Sequence, residues 1–156
     1  MHVRRYESGE EGCLWEIFYN TIHRVNIRDY SQAQVLAWAP PDLDKKIWKN
    51  KIEEINPFVA INAKCIIGYA DLQENGLIDH FFCDYRWQRK GVGSLLMRKI
   101  QEEAIKQNMK ALFSEVSVTA RPFYESHGFS VTKKQTLEVG GEKLSNFRME
   151  KQLTLL

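Results

Sequence analysis

A glycine-containing loop that leads into a long amphipathic helix constrains the fold of this chain more than any other feature. The loop spans residues 88–93 and follows an apolar segment, residues 77–83, that predicts a strand. Helical spacing of apolar residues then predicts a helix over residues 94–108. Gly91 and Gly93 let backbone N–H groups approach a ligand, and the helix N-terminus adds unpaired donors and a positive dipole end. This arrangement is typical of a pyrophosphate-binding loop.

The charge pattern favours an anionic ligand at this loop. The whole chain carries +2, but residues 86–110 hold seven basic and two acidic side chains, so this window carries +5 and the remainder −3. A solvated helix face accounts for part of the excess, whereas Arg89 and Lys90 belong to the loop itself. A nucleic-acid-binding protein has a broader basic face, so no nucleic-acid partner is predicted.

Two other phosphate-binding motifs fit this loop poorly. A Walker loop requires GxxxxGK[ST], which the chain lacks. A Rossmann fingerprint requires a third glycine near the first strand, whereas Leu96 stands at that position and the loop lies beyond the middle of the chain. A nucleotide-binding α/β domain is therefore disfavoured. On spacing alone, a glycine-rich turn without a ligand stays open.

The order of the predicted elements indicates an α/β domain. A short strand at residues 3–6 precedes amphipathic helices at residues 11–27, 32–39 and 45–55. The later elements are strands at 58–63, 64–72 and 77–83, the helix at 94–108, a strand at 112–118, a short helix at 120–127 and strands at 129–137 and 144–151. No repeat or long linker divides the 156 residues, so we expect a single domain.

Several other classes of protein are excluded by composition. No apolar run approaches the ~18 residues of a membrane span, and no apolar stretch follows the early arginines as in a signal peptide. The three cysteines, Cys13, Cys65 and Cys83, have no metal-ligand spacing, so we expect no metal and no disulfide framework. Each is expected to be a small buried side chain. We therefore expect a cytoplasmic protein with no membrane partner.

Two segments together resemble the GCN5-related N-acetyltransferase family. Gln88, Gly91 and Gly93 match the Gln-x-x-Gly-x-Gly motif of its acetyl-CoA loop, and ARPFYESHGF at residues 120–129 is similar to its A-x-x-x-Y-E-x-x-G-F segment. The resemblance covers residues 58–152, and residues 1–56 resemble the substrate-side helices of a bacterial subgroup of acetyltransferases. It implies a mixed, mostly antiparallel central sheet flanked by helices, with splayed strands at the acetyl-CoA site.

The resemblance also implies a reaction. An N-acetyltransferase moves the acetyl group of acetyl-CoA, its co-substrate, to a primary amine of a small molecule or peptide, by direct transfer in a ternary complex and without a metal. The alternative is a non-catalytic acyl-CoA-binding sensor or interaction domain, and the tyrosine at position 124 counts against it. The acceptor is not assigned by the sequence. The oligomeric state stays open, with a homodimer as one option.

The resemblance further implies roles for individual residues. Tyr124 matches the general acid of the family, and the exposed backbone of Phe82 and Cys83 is expected to pair with the pantetheine arm. The pyrophosphate is expected to bind the loop and the residue after it, which are Gln88, Arg89, Lys90, Gly91, Val92, Gly93 and Ser94. Ser117 stands where relatives often carry Asn, so its contact with the cofactor is expected to be weaker or differently placed.

The general base is left open by the sequence. Asp79 shares the parity of the carboxylate that the family often places on this strand, although it lies two residues further along. Glu115 on the following strand is a competitor, and a water-mediated route is the third option. His80 alternates to the opposite face from Asp79 and is expected to be a packed histidine. Candidates for contacting the substrate are His23, Asn26, Arg28, Tyr30, Trp38 and Trp48.

Overall fold

The N-terminal third of the chain forms one strand and three helices in the computed structural model, which describes residues 1–153. Residues 154–156 of the predicted domain lie outside this description. The elements are β1 (His2–Arg5), α1 (Glu11–Arg24), α2 (Gln32–Trp38) and α3 (Lys45–Ile55). The predicted helix over residues 11–27 ends earlier, and a 3-10 turn at Asn26–Arg28 follows it.

Local capping explains where α2 and α3 begin and end. The Ser31 side chain accepts a hydrogen bond from the Gln34 backbone, and the Gln34 side chain bonds back to the Ser31 N–H, forming a capping box. The Asp44 carboxylate accepts a bond from the Lys46 N–H and caps α3. Asn56, in the left-handed region with φ 40°, ends α3 and turns the chain toward β2.

The remaining residues supply seven strands and two helices. They are β2 (Phe58–Asn62), β3 (Cys65–Ala70), β4 (Leu77–Ile78), β5 (Phe81–Cys83), α4 (Val92–Lys106), β6 (Ala111–Ser117), α5 (Arg121–Ser126), β7 (Ser130–Val139) and β8 (Glu142–Gln152). One sheet has the order β1-β2-β3-β5 and the other the order β4-β6-β8-β7. Every pairing is antiparallel except that of β4 with β6. The predicted mixed, mostly antiparallel α/β fold is confirmed.

The predicted strand over residues 77–83 is in fact two strands that belong to different sheets. Ile78 pairs with Ser114 of β6, whereas Phe81–Cys83 pairs with β3, so the two sheets separate between these points. The Asp71 carboxylate causes the break, because it accepts bonds from two consecutive backbone N–H groups, Asp79 at 2.8 Å and His80 at 2.7 Å. These donors therefore bond to a side chain instead of a neighbouring strand.

Two hydrophobic clusters hold the layers together. One contains Leu96, Ile100, Leu112 and Met149, and lies between α4, α5 and the sheets. The other contains Leu14, Ile22, Ile52 and Tyr69, and joins the N-terminal helices to the first sheet.

The expectation of three buried cysteines is wrong for Cys13 and Cys65, which are exposed, while Cys83 is half-buried. Of the helices within residues 1–153, none combines the length and apolar character that crossing a membrane requires.

Candidate active site

A cavity of about 770 Å³ opens where the two sheets separate. Its walls come from β5, the loop before α4, β6, α5, the N-terminal helices and the β7–β8 hairpin. The predicted site residues that line it are Asp79, Phe82, Cys83, Gln88, Arg89, Gly91, Gly93, Ser94, Glu115, Ser117 and Tyr124. Two others, Lys90 and Val92, are not among its lining residues. Both predicted segments therefore contribute to one cavity.

The loop enters the helix through two residues in the left-handed region. Arg89 has φ 58° and Gly91 has φ 86°. Glycine adopts such values without strain, whereas an arginine does so at a cost in free energy. Helix α4 begins at Val92, two residues earlier than predicted, and no side chain caps it. A Cβ on Gly93 would lie 2.8 Å from the Phe123 ring, so a glycine is needed for the helix to approach α5. The first-turn N–H groups of α4 are thus left for a ligand.

Several loop side chains make contacts that support the loop. Gln88 Nε2 donates a 2.9 Å hydrogen bond to the Cys83 carbonyl and ties the loop to β5. The Val92 side chain is buried against Gly68. Lys90 Nζ lies 5.3 Å from the centre of the Trp87 ring on the outside of the loop. Backbone N–H groups and the Arg89 side chain are thus available to an anion at the cavity wall, and a phosphate contact of Lys90 stays a prediction.

Tyr124 is buried beside β6 with its phenol at the point where the sheets separate. Ser114 Oγ donates a 2.7 Å hydrogen bond to the Ile78 carbonyl. That bond uses the one serine proton, so the Tyr124 hydroxyl, 3.4 Å away, is the donor in their contact. Burial raises the pKa of Tyr124 well above its usual value of 10, so the phenol is protonated at neutral pH. Ser114 was not predicted as a site residue.

Two carboxylates face the cavity from the side of the N-terminal helices. Strand alternation places Glu115 on the face of β6 opposite to Ser114 and therefore opposite to Tyr124. Asp79 forms an ion pair with Lys51 of α3. Burial alone would lower the pKa of Lys51, but the hydrogen bond to Asp79 and the negative charges of Asp79, Glu54 and Asp71 together raise it. The cavity is thus lined by a phenol and by two carboxylates.

His80 is packed among aromatic rings, as expected, but it lies in the break between β4 and β5 and not in a strand. Its ring lies among the rings of Phe18, Trp48, Tyr69 and Phe82, with the centroids 5.5 to 6.0 Å away. Nδ1 of His80 is 3.0 Å from the Tyr69 hydroxyl. Burial lowers the pKa of His80 to about 4, so the ring is neutral at physiological pH.

Asp71 is a functional element that the sequence reading missed. Its side chain is completely buried, and burial raises the pKa of its carboxyl to about 6 although the backbone of His80 and the side chain of Gln73 bond to it. The only signal in the sequence is a single acidic residue at the end of the apolar run 66–70. Its two hydrogen bonds fix the backbone of Asp79 and His80, and this backbone forms part of one cavity wall.

Some of the remaining candidate residues line the cavity, and others pack behind its walls. Asn26, Arg28, Tyr30 and Trp38 line the cavity, and so does Lys51, which was not predicted. Neither His23 nor Trp48 lines it; His23 Nε2 lies 2.8 Å from the Ala39 carbonyl. The Ser117 hydroxyl accepts bonds from Asn26 Nδ2 at 3.3 Å and the Ala120 N–H at 3.0 Å. In the described part of the chain, no three His, Cys, Asp or Glu side chains come together to hold a metal ion.

A splayed strand pair, an uncapped glycine loop and a buried tyrosine define the class of acyl-CoA-dependent acetyltransferases. The comparisons agree. The family model described as "Acetyltransferase (GNAT) domain" matches residues 26–153. The N-acetyltransferase YafP of Escherichia coli (strain K12) is 32% identical over 149 residues, which are 96% of this chain and 94% of YafP. The chain therefore belongs to the GNAT family and is an acetyl-CoA-dependent N-acetyltransferase.

Solved structures show the same fold. A GCN5-related N-acetyltransferase from Rhodopseudomonas palustris superimposes with a TM-score of 0.92 at 24% identity, covering 97% of this chain and 94% of that one. The PaiA N-acetyltransferase from Thermoplasma acidophilum, solved in complex with coenzyme A, gives a TM-score of 0.77 at 18% identity and covers 97% and 98%. The family assignment favours an enzyme over the alternative of a non-catalytic acyl-CoA-binding domain.

Proposed function

We propose that this enzyme transfers the acetyl group from acetyl-CoA to a primary amine of a small molecule or peptide, directly and within a ternary complex. The amine nitrogen attacks the thioester carbonyl, the C–S bond breaks, the nitrogen loses one proton and the CoA thiolate gains one. The observation that carries the proposal is that the buried Tyr124 phenol and two carboxylates, Asp79 and Glu115, line the same cavity. Addition of the amine to the carbonyl carbon gives a tetrahedral intermediate, and its collapse releases the thiolate, so the reaction needs a proton acceptor near the nitrogen and a proton donor near the sulfur.

Acetyl-CoA would lie in the opening between the sheets. The backbone of Phe82 and Cys83 would pair with the pantetheine arm, although the Cys83 carbonyl already accepts bonds from Thr21 and Gln88. The pyrophosphate would meet the first-turn N–H groups of α4 and the Arg89 guanidinium. In this assignment residues 58–152 hold acetyl-CoA and residues 1–56 form the acceptor side of one domain spanning 1–156.

The acid in this proposal is Tyr124 and the base is Asp79, acting directly or through a water molecule. Lys51 holds the Asp79 carboxylate in place, and its positive charge disfavours the protonated form of a nearby amine. A neutral amine is the form that reacts. Glu115 is the competing base, because it lies on the same side of the opening.

The direct test is release of CoA from acetyl-CoA in the presence of a panel of amines, with the acetylated product identified by mass spectrometry. Initial rates measured against both substrates should give intersecting double-reciprocal lines. Parallel lines, or an acetylated enzyme formed without an amine, would instead indicate a covalent intermediate. CoA release with no acetylated amine would contradict transfer to an amine.

Substitution of the carboxylates identifies the base. We expect Asp79→Asn to lower kcat/KM about tenfold to a hundredfold at pH 7, because general-base catalysis contributes at least this much. The defect should shrink as the pH rises and more of the amine is already deprotonated. Glu115→Gln should have a small effect, and Glu102→Gln, an exposed substitution on α4, is the control. A larger loss in Glu115→Gln than in Asp79→Asn would transfer the role to Glu115.

Removing the loop cation should weaken cofactor binding. We expect Arg89→Ala to raise the KM for acetyl-CoA about tenfold, since charge-assisted contacts with phosphate are lost, and to reduce the salt dependence of that KM. Arg98→Ala is the matched control, because Arg98 carries the same charge on α4, is exposed and does not line the cavity. Equal KM values for the two variants would exclude Arg89 from the phosphate site.

We assign the enzyme to the cytoplasm. Its three cysteines are free thiols in the structure, and unpaired thiols are typical of proteins in a reducing compartment. Acetyl-CoA as co-substrate fits the same location. Localisation of a tagged chain by cell fractionation tests the assignment, and recovery from outside the cytoplasm would contradict it.

A further inference from the structure

A second pocket of about 350 Å³ opens between α1, α2 and α3, and we call it the side pocket. Seven of its nine lining residues are apolar, and its walls include Phe18, Trp38, Leu43, Ile47 and Trp48. Ile47 is 59% exposed at the rim, which is unusual for a large aliphatic side chain. The side pocket is therefore a concave apolar surface, of the size of small-molecule sites.

The side pocket adjoins the catalytic cavity. Four residues, Phe18, Trp38, Lys51 and His80, line both spaces. They form the boundary between the two spaces, which we call the neck, and the carboxylate of Asp79 stands at this neck because it is paired with Lys51. A molecule with its amine beside Asp79 can therefore extend its carbon skeleton into the side pocket.

The charges at the neck select against a second cation. Lys51 is the one basic residue among those lining the side pocket, and its ammonium would repel another ammonium passing it. The apolar walls beyond the neck offer no carboxylate to a buried ammonium, so its lost hydration would not be replaced. An apolar substituent has neither penalty and gains from burial against the aromatic rings.

We propose that the acceptor is a monoamine whose carbon skeleton is apolar, either aromatic or aliphatic, and that the skeleton binds in the side pocket. This inference rests on the proposed transfer to a primary amine. It assigns the side pocket as the specificity site, with the amine at Asp79 and the substituent between Trp38, Ile47 and Trp48. Diamines and hydroxylated amines are poor acceptors in this scheme.

Two amines of equal length give the sharpest test. Hexylamine and 1,5-diaminopentane have the same number of heavy atoms, but the second carries another ammonium at its far end. We expect kcat/KM for hexylamine to be higher by about tenfold or more. From propylamine to hexylamine, kcat/KM should rise up to about fourfold per methylene. Equal values across the alkyl series, or a preference for the diamine, would overturn the inference and leave amine transfer intact. If no amine is acetylated, the proposed function itself fails.

Variants locate the effect in the side pocket. Ile47→Ala should lower the ratio of kcat/KM for hexylamine to that for propylamine about threefold to fivefold. Trp38→Ala should reduce the gain per methylene further. The matched control is Ile105→Ala, since Ile105 is 47% exposed on α4 and lines neither space. Because Ile47 and Ile105 are both exposed, neither variant should unfold. An equal effect of Ile47→Ala and Ile105→Ala on hexylamine would overturn the assignment of the side pocket.

Discussion

Replacing Tyr124 with Phe is expected to lower kcat by about two to three orders of magnitude at pH 7, with little change in the KM for acetyl-CoA. The phenol is buried and protonated, and its hydrogen bond to Ser114 holds the hydroxyl at the separation point of the sheets. Loss of the hydroxyl removes the proton donor to the departing thiolate. The variant keeps the aromatic ring, so the contacts with Phe81 and Phe129 are retained.

The pH dependence separates acid catalysis from a packing defect. A thiol has a pKa of about 8.5, so a thiolate is a stable leaving group above that pH and needs no donor. The difference between Tyr124→Phe and the native enzyme should therefore shrink toward pH 9. Tyr19→Phe is the matched control, because Tyr19 does not line the cavity. Unchanged turnover of Tyr124→Phe at every pH would show that Tyr124 is not the acid.

Ser114→Ala tests how Tyr124 is positioned. The serine hydroxyl joins the Ile78 carbonyl to the Tyr124 phenol, so its removal should lower kcat about tenfold and leave the acid itself in place. The dependence of rate on pH should keep the native shape, and Ser114→Thr should restore part of the activity. A Ser114→Ala variant with native kcat would mean that packing alone positions the tyrosine.

Local patterns in the sequence were sufficient for the helices and for the loop. Predicted and observed bounds of α3 coincide at residues 45–55, because its cap Asp44 and its apolar face are contiguous in the sequence. The loop at residues 88–93 and the tyrosine segment were both assigned from motifs, and both line one cavity. Features that depend on neighbours in the chain could therefore be predicted.

Features that depend on contacts distant in the chain could not. The break after Ile78 requires a carboxylate eight residues away to accept two backbone N–H groups, and the alternation of residues 77–83 contains no sign of it. Lys51 reaches Asp79 across 28 positions. Gln88 shows another limit of prediction from sequence. The motif identifies the residue, but only the structure shows that its side chain bonds to the β5 backbone.

Asp71 is expected to make stability depend on pH in an unusual direction. Its pKa is about 6 in the folded protein against an ordinary value of 3.8, so the folded state binds the proton more tightly. The stabilisation is complete below about pH 4 and is lost as the pH rises through 6, and the shift corresponds to roughly 3 kcal/mol. His80, with a pKa lowered to about 4, gives the opposite slope in this range. The two effects must therefore be separated by a variant.

Comparing the native protein with Asp71→Asn makes that separation. The amide oxygen of asparagine still accepts bonds from the Asp79 and His80 N–H groups but does not titrate. The free energy of unfolding of the native protein, relative to Asp71→Asn, should fall by roughly 2 kcal/mol between pH 4 and pH 7 in urea titrations, because His80 contributes equally to both. Native and Asn proteins with parallel pH profiles would contradict the assigned titration.

Alanine at position 71 should be the most damaging of these changes. It leaves two backbone donors without an acceptor, at about 1–3 kcal/mol each, so we expect a loss of roughly 2–5 kcal/mol at pH 7. It also removes the constraint that turns Asp79 toward Lys51, so kcat/KM should fall even in preparations that remain folded. Asp71→Asn should retain most of the activity. If the alanine variant kept both native stability and native kcat/KM, the separation of the sheets would not depend on the Asp71 carboxylate.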